Sequence, residues 1–354
     1  MKISDVDPNF KIDASVEEPD VKYYDPTKPP FRLMGVMPPD PATGDIYRRL
    51  PKEVADATNE GVSWLSTFTA GGRIRFTTDS PYVIITVSLP ELHPMAHMAL
   101  TGIAGCAMYC YEGGEQHFCN IVFPTDKTYA GKAKWGDRRM RDCVIYMPLY
   151  NDVSRIYIGI AEDAHVYESP AYAIDKPVVF YGSSITQGGC ASKPSSDYVS
   201  LLSRWLDSNY VNLGFSGSAK GEPVIAEYIA KMDMSCFVMD YDHNAPSPEH
   251  LEKTHYPFYK IIRDAHPDLP IIMLTRPDNV NSQDRLRRLG VVTETYLRAR
   301  KEGDTNVFLI DGATFCRDMP RNDASVDCCH PTDLGFYFMA KAVLPVLKTA
   351  LGMQ

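Results

Sequence analysis

Ser184 lies in the run Tyr181-Gly182-Ser183-Ser184-Ile185-Thr186-Gln187-Gly188-Gly189, directly after the apolar stretch Val178–Tyr181. A strand that ends in small residues lets the chain turn sharply and lifts one hydroxyl to the edge of a sheet, where it can meet a substrate. An unreactive Gly/Ser-rich turn competes with that reading. A phosphate cradle is weaker, because Gly182, Gly188 and Gly189 have neither dinucleotide spacing nor a P-loop lysine. Near the other end stands Asp327-Cys328-Cys329-His330-Pro331-Thr332. A serine hydroxyl is a weak nucleophile that needs an imidazole to take its proton and a carboxylate to fix the ring tautomer. Asp327 and His330, in one turn, can bring both groups to one point, although an isolated histidine can equally be structural.

Two further loops follow apolar runs: Asn212-Leu213-Gly214-Phe215-Ser216-Gly217 and Asp240-Tyr241-Asp242-His243-Asn244-Ala245-Pro246. Attack on an ester builds negative charge on the carbonyl oxygen, and each preorganised N–H donor aimed there is worth about 3 kcal/mol. Gly217 can offer its backbone N–H and Asn244 its side-chain amide. Taken alone, both are ordinary turn residues. His243 is a competing base, without a motif carboxylate at the right spacing.

These loops need a scaffold. From Lys176 onward, the runs Val178–Tyr181, Val211–Phe215, Cys236–Met239, Ile271–Leu274 and Val307–Ile310 alternate with amphipathic stretches at Tyr198–Leu206, Glu249–Arg263, Asp284–Arg300 and Phe336–Leu351. That alternation predicts an α/β domain with a five-stranded parallel sheet, whose right-handed crossovers collect the reactive loops along one edge. Earlier in the chain, Gly72–Thr77, Tyr82–Val87, Gly105–Tyr111, Gln116–Val122, Arg141–Pro148 and Arg155–Ile160 resemble strands parted by Gly, Pro and Asp, with little helical periodicity. They predict an accessory β-sandwich or jelly-roll domain over residues 1–174, opened by a Pro-rich extended leader through Pro30 and followed by the α/β domain at 175–354.

The order Ser, Gly, Asn, Asp-x-x-His, each after a strand of one sheet, resembles the SGNH, or GDSL-like, hydrolase family over Lys176–Gln354. The resemblance implies a flavodoxin-like sheet and Ser184 as nucleophile, His330 as base and Asp327 as its partner. It also implies an oxyanion hole made of the Ser184 backbone N–H, Gly217 and Asn244. Two positions depart from the commoner pattern: Ser183 stands where Asp is usual, and Asp242 where Gly precedes the third block's Asn by two places. The long Gly182–Ser192 block is similar to a two-domain subgroup with an N-terminal β-sandwich, linked mostly to acyl or acetyl esters, often of sugars. The subgroup's Gly-x-Asp-Leu-Tyr motif would correspond to Gly105-Cys106-Ala107-Met108-Tyr109, with Ala107 in place of the acid.

The reading is therefore a serine esterase for O-acyl, above all O-acetyl, carbohydrate esters, without metal or organic cofactor. An acyltransferase to a sugar or metabolite hydroxyl, or a carbohydrate-binding protein with a vestigial hydrolase domain, are the alternatives. Asp242, His243 and Trp64 are candidate substrate contacts; Trp64 and Trp135 can be sugar-stacking platforms or core aromatics. The Cys328–Cys329 pair has no second pair at zinc-ribbon spacing. A net charge of −9 argues against nucleic acid and anionic lipid as partners, and no apolar stretch is long enough for a membrane span. Nine dispersed cysteines read as reduced, largely buried residues. The polar, acidic Met1–Phe10 lacks the features of a secretion signal, which suggests the cytoplasm, whereas a mature chain stripped of its signal would be secreted or periplasmic.

Overall fold

All five apolar runs of the second half pair into one parallel sheet in the computed structural model, which describes residues 16–277, 282–316, 319 and 323–353. Met1–Phe10 lies outside the described residues. The strands are β1 (Ile174–Gly182), β2 (Ser208–Gly214), β3 (Cys236–Asp240), β4 (Ile271–Leu274) and β5 (Val307–Ile310), in the spatial order β2-β1-β3-β4-β5. Val179 of β1 is in register with Val211 on one side and Phe237 on the other. Every residue of β3 and β4 is buried, as expected for strands covered on both faces by helices.

Four expected crossover helices form, at Tyr198–Leu206, Pro248–Ala265, Gln283–Lys301 and Asp333–Ala350. Each begins at a residue whose side chain accepts a backbone N–H of the first turn: Asp197, Ser247, Ser282 and Thr332. A fifth helix, Pro223–Ile229, was not anticipated; its seven residues are too few for a periodic pattern to stand out. Because β2 and β3 flank β1, the strand order reverses at β1, and the crevice beside its C-terminal end is where ligands gather in such sheets.

Contacts divide the chain into two compact units. The α/β unit comprises Tyr172–Ala191 and Ser196–Gln354 together with Pro51–Ser66. That early segment forms the helices Lys52–Thr58 and Glu60–Leu65, the first of which packs on Pro223–Ile229. Asn59, between them, donates its amide to the Ser218 carbonyl at 3.0 Å and to Glu222 Oε1 at 2.5 Å. Trp64 therefore belongs to an exposed helical turn of this unit and not to a β-sandwich.

The other unit, with Thr67–Ala171 and Ser192–Ser195 beside the described residues 16–50, is built on antiparallel β structure. One sheet orders Val21–Tyr24, Arg155–Ala161, Tyr82–Ser88 and Thr128–Lys134. The second orders Val166–Tyr167, Arg73–Thr78, Arg141–Tyr146, Cys106–Glu112 and Glu115–Val122, with Arg32–Met34 paired to Arg73–Thr78. The expected extended leader is corrected here: Val21–Tyr24 is an edge strand on Arg155–Ala161, with Val21 and Tyr23 buried. Its alternation, in-out-in over three residues, was too short to register as a strand among the neighbouring prolines.

Candidate active site

Strand β1 ends in Gly182, and no other residue fits there. A Cβ at this position would stand 2.1 Å from Thr186 Oγ1 and 2.5 Å from the Asp240 carbonyl oxygen. The chain can therefore fold back on itself at once. Ser183 caps the short helix Ser184–Gln187 by accepting the Ile185 N–H at 3.1 Å, which leaves Ser184 as its first residue. The missing family Asp at 183 is thus replaced by another good N-cap. Asn212 donates to the Thr186 carbonyl at 2.7 Å, and Gln187 Oε1 accepts the Ser216 N–H at 3.0 Å. The turn that carries Ser184 is fastened to the loop after β2.

Asp327 and His330 occupy a loop pinched shut by the Ser325–Pro331 bridge, just before Thr332 caps the last helix. Asp327 Oδ1 accepts the backbone N–H groups of Cys329 at 3.1 Å and His330 at 2.7 Å, and its Oδ2 lies 2.8 Å from His330 Nδ1. Cys328, at the tip, takes a left-handed φ of 65° to complete the turn. With Asp327 accepting at Nδ1–H, Nε2 is left as an acceptor, and it lies 2.8 Å from Ser184 Oγ. Burial tends to raise the Asp327 pKa, but the backbone N–H and imidazole of His330 outweigh it and hold the carboxyl below its ordinary range. The three side chains form one continuous hydrogen-bonded chain from hydroxyl to carboxylate.

Gly217 adopts φ 63° in the loop after β2, a conformation that suits glycine, and Asn244 sits in the loop after β3. The Asn244 amide donates to the Phe215 carbonyl at 2.7 Å and so ties these two loops together. Asp242 is buried, and its Oδ2 accepts the Arg276 N–H at 3.2 Å, which sets it among loop backbone and not at an open surface. Burial pushes its pKa up to about 6 against the pull of that N–H and of the Arg276 and Arg288 charges. His243 is held down to about 3 by burial, with the Arg276 charge adding to the effect, and its Nε2 lies 3.3 Å from Cys329 Sγ. A ring so reluctant to take a proton is a poor rival to His330 as general base.

Asp240, given no role from sequence, anchors the arrangement from the end of β3. Its Oδ2 accepts the Thr186 hydroxyl at 2.8 Å and the Tyr198 hydroxyl at 3.0 Å, while its carbonyl accepts the Ser183 N–H at 3.2 Å. Burial, with the charge of Asp242 next, pushes its pKa up to about 8. A carboxylate closing an apolar strand is the signal that could have found it.

Residues 175–348 match the GDSL-like lipase/acylhydrolase family, and residues 21–166 match the GxDLY N-terminus of SGNH-hydrolase-type esterases. The chain is a GDSL-like acylhydrolase. It is accordingly a carboxylic ester hydrolase. The match of the first segment holds although Ala107 replaces the motif acid; that position is fully buried within Cys106–Glu112, where an unpaired carboxylate would be costly.

Among solved structures, a protein described as a GDSL-like lipase from Bacteroides ovatus is similar with a TM-score of 0.85 and 28% identity, over 94% of this acylhydrolase and 99% of that chain. A salicylyl-acyltransferase from a tetracycline biosynthetic pathway shares the fold at TM-score 0.74 and 19% identity, covering 95% and 99%. A family two carbohydrate esterase from Clostridium thermocellum does so at 0.60 and 14%, covering 80% and 93%. None of the curated proteins matches this chain. Among the described residues, no helix of the acylhydrolase is long and apolar enough to cross a membrane.

Proposed function

We propose that this acylhydrolase removes short acyl groups, chiefly acetyl, from carbohydrate hydroxyls through an acyl-serine intermediate. Ser184 Oγ attacks the ester carbonyl as its proton passes to His330 Nε2; His330 then gives that proton to the leaving alcohol. Water, deprotonated by the same ring, attacks the acyl-serine and releases the acid. Asp327 stabilises the imidazolium in both halves, and the Ser184 and Gly217 backbone N–H groups with the Asn244 amide receive the oxyanion. Residues 175–354 carry this chemistry in the proposal, and 1–174, apart from the Pro51–Ser66 segment that joins the α/β unit, form an accessory domain.

The observation that carries the mechanism is the relay Ser184 Oγ to His330 Nε2 and His330 Nδ1 to Asp327 Oδ2, each 2.8 Å long. The carbohydrate substrate is supported by the shared fold of a carbohydrate esterase solved with cellohexaose. Acyl transfer to a sugar or metabolite hydroxyl is the second reading, favoured by the fold shared with the salicylyl-acyltransferase. The test is hydrolysis of p-nitrophenyl acetate and a panel of acetylated oligosaccharides, with and without added acceptor alcohols. Wild type should release acetate from the oligosaccharides and label with a fluorophosphonate, and Ser184→Ala should do neither. Undiminished turnover by Ser184→Ala would overturn the nucleophile assignment, and product acylated on the acceptor in place of free acetate would establish transfer.

A further inference from the structure

The turn that presents His330 also gathers ligands of a different character. One ligand atom each from Asp327, Cys329 and His330 lies within 4.8 Å of the others, and His243 Nε2 is 3.3 Å from Cys329 Sγ. Cys329 supplies the sulfur of this cluster, and its thiol is in hydrogen-bond contact with the His243 ring beside it. Sulfur, imidazole and carboxylate together form a donor set that prefers zinc or cadmium to magnesium or calcium.

We propose that Asp327, Cys329 and His330 form an inhibitory site for a thiophilic divalent cation. The cation is a regulator, not a participant in ester cleavage. On binding, the Cys329 thiol releases its proton to solvent and its sulfur donates a lone pair to the metal; no electron is transferred. The same ion takes a carboxylate oxygen of Asp327 and a ring nitrogen of His330, so the relay to Ser184 is broken while the metal stays. Removal of the metal by a chelator restores it. Binding itself is independent of the mechanism proposed above; only the effect on rate rests on His330 acting as the base.

The experiment titrates purified full-length protein with Cd²⁺, reading the ultraviolet thiolate-to-cadmium absorption band, and in parallel with Zn²⁺, reading ester hydrolysis. Wild type should develop the band and lose hydrolysis over the same metal range, recover with EDTA, and ignore Mg²⁺. Cys329→Ala and Cys329→Ser should remain active, lose most of the band, and need roughly tenfold or more zinc for half-inhibition. A band and an inhibition curve unchanged in both variants, or no band in wild type, would overturn the site. Ser184→Ala separates the two readings, since it should be inactive yet give the wild-type band. If it hydrolyses normally the nucleophile is wrong, whereas loss of its band would count against the metal site alone.

Discussion

Asp327 holds His330 twice, with Oδ1 on its backbone N–H at 2.7 Å and Oδ2 on its ring Nδ1 at 2.8 Å. One carboxylate therefore sets both where the imidazole is carried and which tautomer it adopts. The backbone contact is a turn contact that any Asp or Asn can make, whereas the ring contact needs an anion.

Asp327→Asn is expected to keep the turn but lower kcat on the order of 1,000- to 10,000-fold, because the amide can present an N–H to Nδ1 and reverse the tautomer. Steady-state kinetics should show the fall in kcat with little change in KM. Since the Asp327 pKa lies below its ordinary value in the folded protein, its stabilising effect is complete above the unfolded carboxylate pKa and is lost as pH falls through the folded value. The gap in melting temperature between wild type and Asp327→Asn should therefore close in strong acid. A gap that widened on acidification would contradict the sign.

Asn244→Ala should reduce kcat by about 100- to 1,000-fold as one proposed oxyanion donor is removed. The Phe215 carbonyl loses one of its donors and keeps the Ser218 and Ala219 N–H groups, so the cost in stability is small, about 1 kcal/mol for a net hydrogen bond. Kinetics and urea denaturation on one preparation separate the effects. A loss confined to KM would argue that Asn244 binds the ground state.

Asp240 lies on the other side of the pH scale. Its raised pKa means that the folded state binds a proton which the unfolded state has released, so stability falls as pH rises from the ordinary carboxylate value to about 8. Asp240→Asn keeps an acceptor for the Thr186 and Tyr198 hydroxyls without the buried charge. The variant should lose less melting temperature than wild type between pH 5 and about 8, as followed by circular dichroism. Equal slopes would show that the carboxyl does not titrate there.

Gly182→Ala should cost about 1–3 kcal/mol through overpacking and cut activity more severely, because the added methyl group meets Thr186 and the Asp240 carbonyl. Moving Thr186 moves the helix that begins at Ser184. A variant with normal thermal stability and normal turnover would mean that the turn relaxes freely.

Much of the α/β unit was legible because burial on both faces makes parallel strands read as short apolar runs. β4 and β5 were predicted at their observed bounds, while β1 and β2 begin earlier, at Ile174 and Ser208, where Asp175, Lys176, Ser208 and Asn209 interrupt any apolar run. The helices Lys52–Thr58 and Glu60–Leu65 escaped notice because each spans less than two full turns and they break at Asn59. Nothing in a string of that length says that it will pack on the helix Pro223–Ile229, far along the chain.

By itself, the sequence determined the chemistry on offer: a hydroxyl after a glycine-ended strand, an Asp-x-x-His turn, and Gly and Asn donors on intervening loops. These are local patterns, dictated by strand periodicity and turn stereochemistry, and they survive without knowledge of neighbours. Tertiary structure alone decided that Ser184 Oγ and His330 Nε2, 146 residues apart in the chain, stand at 2.8 Å. It alone decided that Asp240 underpins the turn that carries Ser184 and that His243 faces Cys329. Such pairings depend on which strands become neighbours and how deeply each side chain is buried, and the crossing of a parallel sheet fixes both at once, far from the residues concerned.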